Sequence, residues 1–584
     1  MSQNAVISKN LAVPSGKTLY LCLGGKEYKS NGINKITAGE KNKAPAHLII
    51  CDCGGTGTIK GATKGWGGMG IYLYRSTLDF FGGKITGGKV TGSGGGGAIA
   101  LDDSNCVLNI YGGEISGNNG KVIGGAVYFN CLDGKGGTVN MYGGEISGNK
   151  AQKGGVFFSE RGGTVNLIGG TVSGNSATSN DGGVINMAGA DITISGTKIT
   201  GNTAKRYGGA IYLYDNSTLS MTGGDISGNT AVSEGGAVHA YGNNTTFNFS
   251  DGIIKNNSAK DGAAVYLNRQ PPVLNMSGGT ISDNTATGNG GAVYIFRSGS
   301  ICNLSGGVIE NNKAAAGGGI YIDPSYDGQL KISGNPIVKN NTVSGKANNV
   351  YLPSGKTLST SAMTSGASVG ITTGKAPVLG APVVFGKACD NDYSGYFSSD
   401  NTDYIPRYNL DKQLELSVIT YTVTYNPGTN GSGETVFDLK QKDVALTLKD
   451  ALFTRAGYKQ TGWTNIDGGD IIYGLEAVYT ENEGLTLYPV WRANEYTVKF
   501  DTAGGTAIGD RTGVTWSDKV LDGITSPTRE GWNFEGFKCG DITVTASTAY
   551  ADLAADDSVS SVTLVAQWSD IEAPVGVIAI KSST

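Results

Sequence analysis

Histidine is nearly absent: His47 and His239 are the only two in 584 residues, which excludes any site built on several imidazoles. Charge is sparse too, at 16% Asp, Glu, Lys and Arg with a net charge of −4. There is thus no basic footprint for nucleic acid and no polybasic patch for anionic lipid. No run of about 20 apolar residues occurs, so insertion into a membrane is not expected. Proline stops at 14 residues while glycine reaches 95, a balance that fits neither collagen nor a proline-rich tract. Gly-Lys-Thr at Gly16 and Gly355 lacks the glycine five residues earlier that a phosphate loop requires, no Ser/His/Asp arrangement is present, and no cofactor is expected.

The eight cysteines, Cys22, Cys51, Cys53, Cys106, Cys131, Cys302, Cys389 and Cys539, lack the spacing of a disulfide scaffold. Cys51-Asp52-Cys53 has no second close pair, so no metal is expected there, and buried thiols are the plain reading. Cys22 and Cys51 lie 29 residues apart in the chain, near one repeat of the pattern below, which leaves a bridge between them open.

What the chain has in abundance is a repeat. A block Gly-Gly-Ala-(Val/Ile)-Tyr-(Leu/Phe/Ile) begins at Gly68, Gly96, Gly124, Gly154, Gly182, Gly208, Gly235, Gly262, Gly290 and Gly317, with a degenerate copy from Ala347. Between copies lies a second block, Leu-x-Ile/Met-x-Gly-Gly-x-Ile-x-x-Asn, as in Leu108 to Asn118 and Leu274 to Asn284. Apolar residues alternate within both blocks, a period of two that marks strands, and Gly and Asn supply turns. About three short strands per repeat follow. One coil cannot bury its own apolar face, so repeats must stack, with equivalent residues about 4.8 Å apart. The expected fold is an all-β, right-handed parallel β-helix solenoid.

The alternation also assigns faces. In the copy from Gly124, Val127 and Phe129 point inward and Tyr128 outward. Asn118, Asn149, Asn175, Asn202, Asn229, Asn257, Asn284, Asn312 and Asn340 recur in one slot, which predicts a ladder of stacked amides that tolerates left-handed backbone. Residues 1–60 read as a cap and opening coils, 61–355 as regular coils, and 356–419 as a closing segment carrying Tyr396, Phe397, Tyr404 and Tyr408.

From Tyr421 a different pattern takes over. Tyr421 to Asn426 returns as Tyr496 to Asp501, Thr454-Arg455-Ala456-Gly457-Tyr458 as Thr528-Arg529-Glu530-Gly531-Trp532, Gly462-Trp463 as Gly536-Phe537, and Leu487 to Trp491 as Leu564 to Trp568. Two modules follow, 420–493 and 494–569, each with a closing Trp expected in its core. These motifs resemble the Listeria-Bacteroides repeat, also called the internalin B-repeat. The resemblance implies small β-grasp-like domains, an extracellular and Gram-positive setting, and a spacer or adhesive role. The coils similarly look like those of β-helix surface proteins from gut Firmicutes. Residues 570–584 look like a linker or the start of an Ig-like domain. Met1-Ser2-Gln3-Asn4 carries no basic and apolar leader, and an excised piece of a longer secreted protein, monomeric in itself, is the expectation.

Parallel β-helices also carry polysaccharide lyases and hydrolases, and fold alone decides nothing. An enzyme of this shape needs clustered carboxylates, for which Asp102, Asp103 and Glu160 are the candidates, with a solvated loop as the simpler reading. No Gly-His-Gly segment accompanies them. Binding has better material. The outward slot of the first strand holds Tyr72, Tyr128, Phe158, Tyr212, Tyr266, Tyr294 and Tyr321, with His239 in place of Tyr in one copy. Just past that strand come Arg75, Tyr214, Tyr241, Arg269, Phe296, Arg297 and Tyr326. Tyr and Arg are the residues of binding hot spots, although stacked tyrosines also stabilise a sheet by cross-strand contact alone. The expectation is a non-enzymatic surface adhesin. Its partner would be a host protein or glycan, such as a mucin, a glycoprotein or an immunoglobulin. The alternatives are a polysaccharide-degrading enzyme and a pure spacer.

Overall fold

A computed structural model describes residues 3–571 apart from Trp66, Ser93, 132–134, Gln270 and Ala388. The expected further domain at 570–584 thus falls almost wholly outside the described residues. The chain divides into two compact units, Met1–Val418 and Ile419–Thr584. Among the described residues no helix is long and apolar enough to cross a membrane.

The first unit is a right-handed parallel β-helix. Each coil contributes three strands to one continuous parallel sheet, as in Val127–Phe129, Thr138–Met141 and Glu145–Ser147. Equivalent residues pair in register from coil to coil: Val127 with Phe157, Tyr128 with Phe158, Phe129 with Ser159. A fourth short strand, Asn119–Ile123 in one coil and Lys150–Lys153 in the next, closes the turn and builds a second sheet. Its two-residue copies, such as Ser176–Ala177 and Thr203–Ala204, are too short to show a period.

Inward side chains make one uninterrupted core. Val127, Val139, Ile146, Val165, Val172, Ile192 and Ile199 are all at or within 1% of complete burial. The Gly-Gly pair makes the coils stack closely. Gly124 has φ +58, and a Cβ on Gly125 would meet the carbonyl oxygen of Gly155 at 2.1 Å, so a side chain there would separate neighbouring coils.

The asparagine ladder runs in one direction. Each Asn donates its side-chain N–H to the side-chain oxygen of the next, from Asn118 to Asn149 (3.0 Å) through Asn229 to Asn257 (3.0 Å) to Asn312. The same oxygen also accepts the preceding backbone N–H, as Asn257 does from Asn229 (2.9 Å). The last rung is Asn341, not Asn340: Asn312 donates to Asn341 at 2.8 Å, while Asn340 is exposed with φ 57. Left-handed backbone belongs throughout to the residue before the rung, as at Asn256, Asp283 and Asn311. There a short polar side chain or Gly turns the corner, whereas the rung itself needs its amide pointed inward. Asn341 passes the chain of bonds to Asn349 (2.9 Å), and the carboxylate of Asp400 ends it by accepting from Asn349 N–H (2.7 Å) and from Thr372 Oγ1 (2.7 Å). A second amide ladder, Asn166 to Asn140 to Asn109, ends on Asp79, which also contacts His47 Nε2 at 2.7 Å.

Stacking begins at Ala5, whose strand Ala5–Ile7 pairs with Glu27–Ser30, so regular coils precede the first Gly-Gly block. At the far end Phe397 is buried, and Tyr396, Tyr404 and Tyr408 pack against the same core.

The second unit holds two five-stranded sheets of the same design. In each, the first strand pairs parallel with the last: Thr420–Tyr425 with Leu485–Ala493, and Tyr496–Asp501 with Ser561–Asp570. The core tryptophan is Trp463, fully buried, and its counterpart Phe537 is 3% exposed. The closing Trp491 and Trp568 are only partly buried against their cores, because the indole N–H of Trp568 reaches back to the carbonyl of Thr502 at 3.0 Å near the edge. The repeated Arg-x-Gly-aromatic motif makes a local clamp, with the Arg455 guanidinium 3.7 Å over Tyr458 and that of Arg529 4.3 Å over Trp532.

Candidate binding groove

The outward slot of the first strand is not a surface. Phe158 (2% exposed), Tyr212 (7%), Tyr266 (2%), Tyr294 (5%) and His239 (0%) are buried, while Tyr72, Tyr128 and Tyr321 are half-buried. This corrects the reading of Phe158, Tyr212, Tyr266 and Tyr294 as contact residues. The glycine turn just before the strand folds back over the slot, so close that a Cβ on Gly262 would stand 2.9 Å from that of Tyr266. The rings make an internal stack instead: Tyr266 against Tyr294 at 5.0 Å, and Tyr294 against Tyr321 at 5.0 Å, both edge-on. Polar tips are tied down, Tyr294 by Asp323 (2.5 Å) and Tyr128 by Asn130 (2.9 Å). Tyr72 donates to Asp102 and carries the Lys35 ammonium 4.7 Å over its ring.

The residues just past that strand behave differently. Tyr214, Tyr241, Arg269, Arg297 and Tyr326 line an open groove of about 910 Å³, together with Asp215, Asn268, Ser298 and Tyr207. The strands Ile211–Tyr214, Val238–Tyr241 and Val265–Asn268 run one residue longer than Val293–Ile295, the next in the stack, and carry Tyr214, Tyr241 and Asn268 to the rim. Tyr214 and Tyr241 stack at 5.5 Å and 15°. Arg269 hydrogen-bonds the Tyr241 hydroxyl and lies 5.6 Å over its ring. Arg297 sits 4.2 Å over Tyr326 and 4.5 Å over Phe296. Asp215 accepts the backbone N–H of Asn243 at 2.8 Å, joining the two loops. Arg269 holds φ +69, a left-handed conformation that costs a side-chain-bearing residue about 1 kcal/mol or more. Arg75 shares it at φ +46, but it lies several coils before the groove, so it does not join it.

Beneath Tyr207 lies an unusual pair. His239 stands 4.8 Å from the Tyr207 ring and 5.2 Å from Tyr212. Neither of its ring nitrogens, nor Oε2 of Glu234, has a hydrogen-bond partner among the described residues. His239 Nε2 and Glu234 Oε2 stand 3.5 Å apart, close enough for an ion pair if the ring were charged. Burial, aided by the Arg206 guanidinium, pushes the imidazole down to about 3, so at neutral pH the ring is uncharged. Burial, and then the Asp261 carboxylate, raise the Glu234 carboxyl to about 7, with Lys260 and Arg206 opposing. Arg206 itself is held by a bidentate pair to Asp181, both bonds 2.9 Å.

The candidate carboxylates do not converge on an open cleft. Asp102 is half-buried and accepts from Tyr72 and Asn130. Asp103 caps its own turn through Asn105 N–H at 2.8 Å. Glu160 is exposed. Asp102 and Asp103 are thus parts of the coil's corner and not a solvated loop.

Tyr207, Glu234 and Asp181 occupy the slot before the Gly-Gly pair, which reads in sequence as plain turn. Their signal is that this slot changes from Tyr207 to Glu234, Asp261 and Asn289 in successive coils, the first three bridged backbone to backbone. A second exposed aromatic stack, Phe81, Tyr111 and Tyr142 at 4.6 and 5.0 Å, precedes the other glycine pair of each coil. It is legible as aromatic-Gly-Gly recurring three times.

Family models match the chain in two places. A right handed beta helix region covers residues 131–301 and 185–360, and the Listeria-Bacteroides repeat domain (List_Bact_rpt) covers 421–490 and 496–567. Neither the curated proteins nor the solved structures contain a match to this chain. A β-helix joined to such repeats fits a surface protein with stalk repeats, and β-helix domains occur in enzymes and non-enzymes alike.

Proposed function

We propose that the chain is a non-enzymatic adhesin or host-factor-binding protein of an extracellular bacterial surface, with the groove on the solenoid as its contact site and the two repeats as a stalk. The observation that carries this reading is the rim formed by Tyr214, Tyr241, Arg269, Arg297 and Tyr326. The coil needs none of these side chains for its core, yet it holds two arginines against aromatic rings and one of them in left-handed backbone. Flat rings flanked by fixed guanidinium groups suit a glycan, free or on a mucin or other glycoprotein, through ring stacking and charge-assisted hydrogen bonds. The carboxylates that a hydrolase would need are taken up by the corner at Asp102 and Asp103.

A glycan array probed with the full chain tests the proposal. Binding of a defined glycan class is expected, reduced at least about tenfold by Tyr241→Ala or Arg269→Ala, as for a hot-spot residue, with unchanged melting. No bound glycan, or binding indifferent to both changes, would refute the groove as contact site. Release of reducing ends or unsaturated products, abolished by Asp102→Ala, would replace it with an enzyme.

A further inference from the structure

The opening coils bring three thiols together at one corner. Cys22 ends the strand Thr18–Cys22 and Cys51 ends His47–Cys51; the two are direct partners in the parallel register. Cys53 follows in the next turn. Its Sγ lies 2.7 Å from that of Cys22, and all three sulfur atoms fall within 4.8 Å of one another, with Cys53 exposed and the other two partly so.

Asp52, between the two cysteines, makes this corner rigid. Its carboxylate accepts the backbone N–H groups of Gly25 (2.7 Å), Gly54 (3.2 Å) and Gly57 (2.6 Å). The turn after Cys22 is thereby tied to the turn after Cys51. A Cβ on Gly54 would stand 2.4 Å from the Gly25 nitrogen, so only glycine lets the two turns approach this closely. The acid therefore works as a positioning residue, and the sulfur atoms do not depend on a flexible loop for their geometry.

We propose that Cys22, Cys51 and Cys53 form a surface site for one soft, thiophilic metal ion of the Zn²⁺, Cd²⁺ or Cu⁺ class. A metal–sulfur bond of about 2.3 Å places tetrahedral thiolates about 3.8 Å apart and trigonal ones about 4.0 Å. The Cys22 and Cys53 sulfur atoms at 2.7 Å must part by about 1 Å to reach these values, and no pair of the three exceeds 4.8 Å, so side-chain rotation can load the cluster. Soft thiolates select such ions over Ca²⁺ or Mg²⁺. Binding releases three thiol protons to solvent, leaves a net charge of −1 with a divalent ion, and weakens as pH falls. The exposure of Cys53 leaves a fourth position open to water or to an external ligand.

The test is a titration of the full chain, reduced and freed of metal, with Cd²⁺, following the ultraviolet sulfur-to-cadmium charge-transfer band. One equivalent per chain is expected, displaced competitively by Zn²⁺. Cys22→Ser, Cys51→Ser and Cys53→Ser should each remove the stoichiometric band, with Cys→Ala counterparts and circular dichroism separating ligand loss from misfolding. Cys539→Ser should leave it intact. Asp52→Asn should weaken binding about 10- to 100-fold, the usual cost of losing an outer-shell support. The proposal is overturned by the absence of a band in the reduced chain, by a full band in any of the three single variants, or by mass spectrometry showing a Cys22–Cys53 disulfide that forms in preference to metal binding when Cd²⁺ is present.

Discussion

The buried pair under the groove makes a prediction in which two opposite pH dependences mask each other. Glu234 has its carboxyl raised from 4.5 to about 7, with its side chain 22% exposed. Folded protein therefore holds this proton more tightly than unfolded chain does. The stability it contributes is full below pH 4.5 and is lost as pH rises to 7, at up to about 1.4 kcal/mol per unit and about 3 kcal/mol in all. His239 is the reverse, depressed from 6.5 to about 3. Its contribution is full above pH 6.5 and is lost as pH falls toward 3, with the same slope per unit. Between pH 4.5 and 6.5 the two slopes cancel, so wild-type solenoid should show a flat melting temperature there. Glu234→Gln exposes the histidine slope, and melting should then rise with pH over that window. His239→Phe, which keeps a ring in the stack with Tyr212 and Tyr266, exposes the glutamate slope, and melting should fall over the same window. Calorimetry of the solenoid transition in matched buffers reads both. Parallel pH profiles for the two variants, or a common slope in all three proteins, would refute the assignment.

Other consequences concern the architecture. Asn229→Ala in mid-ladder removes an acceptor of two N–H groups of Asn202 and a donor to Ile199 and Asn257. Each orphaned buried group costs about 1–3 kcal/mol, so chemical denaturation should show a loss of at least about 3 kcal/mol. Tyr266→Ala should cost about 3–5 kcal/mol as a buried large-to-small change while leaving glycan binding per folded molecule unaltered; loss of binding at unchanged stability would restore the column as a contact surface.

The sequence by itself determined the coil. A period of two within each block, a repeat near 28 residues with Gly and Asn at its corners, and a core that one coil cannot bury leave a stacked parallel solenoid as the fold. The tail modules were equally legible, because the same motifs occur twice in the same order at offsets of 74 to 77 residues. Tertiary structure decided which side chains meet solvent. Alternation divides a strand into two faces but does not say that the glycine turn before it folds over one of them, so Tyr212, Tyr266 and Tyr294 read as exposed and are buried. The register of a double Asn is undecided locally, and only the inward direction of its amide selects Asn341 over Asn340. The thiol corner joins Cys22 to residues a whole coil away, and the groove joins loops from successive coils. Both depend on coil-to-coil stacking at about 4.8 Å, a proximity that linear spacing hints at and only the folded chain specifies.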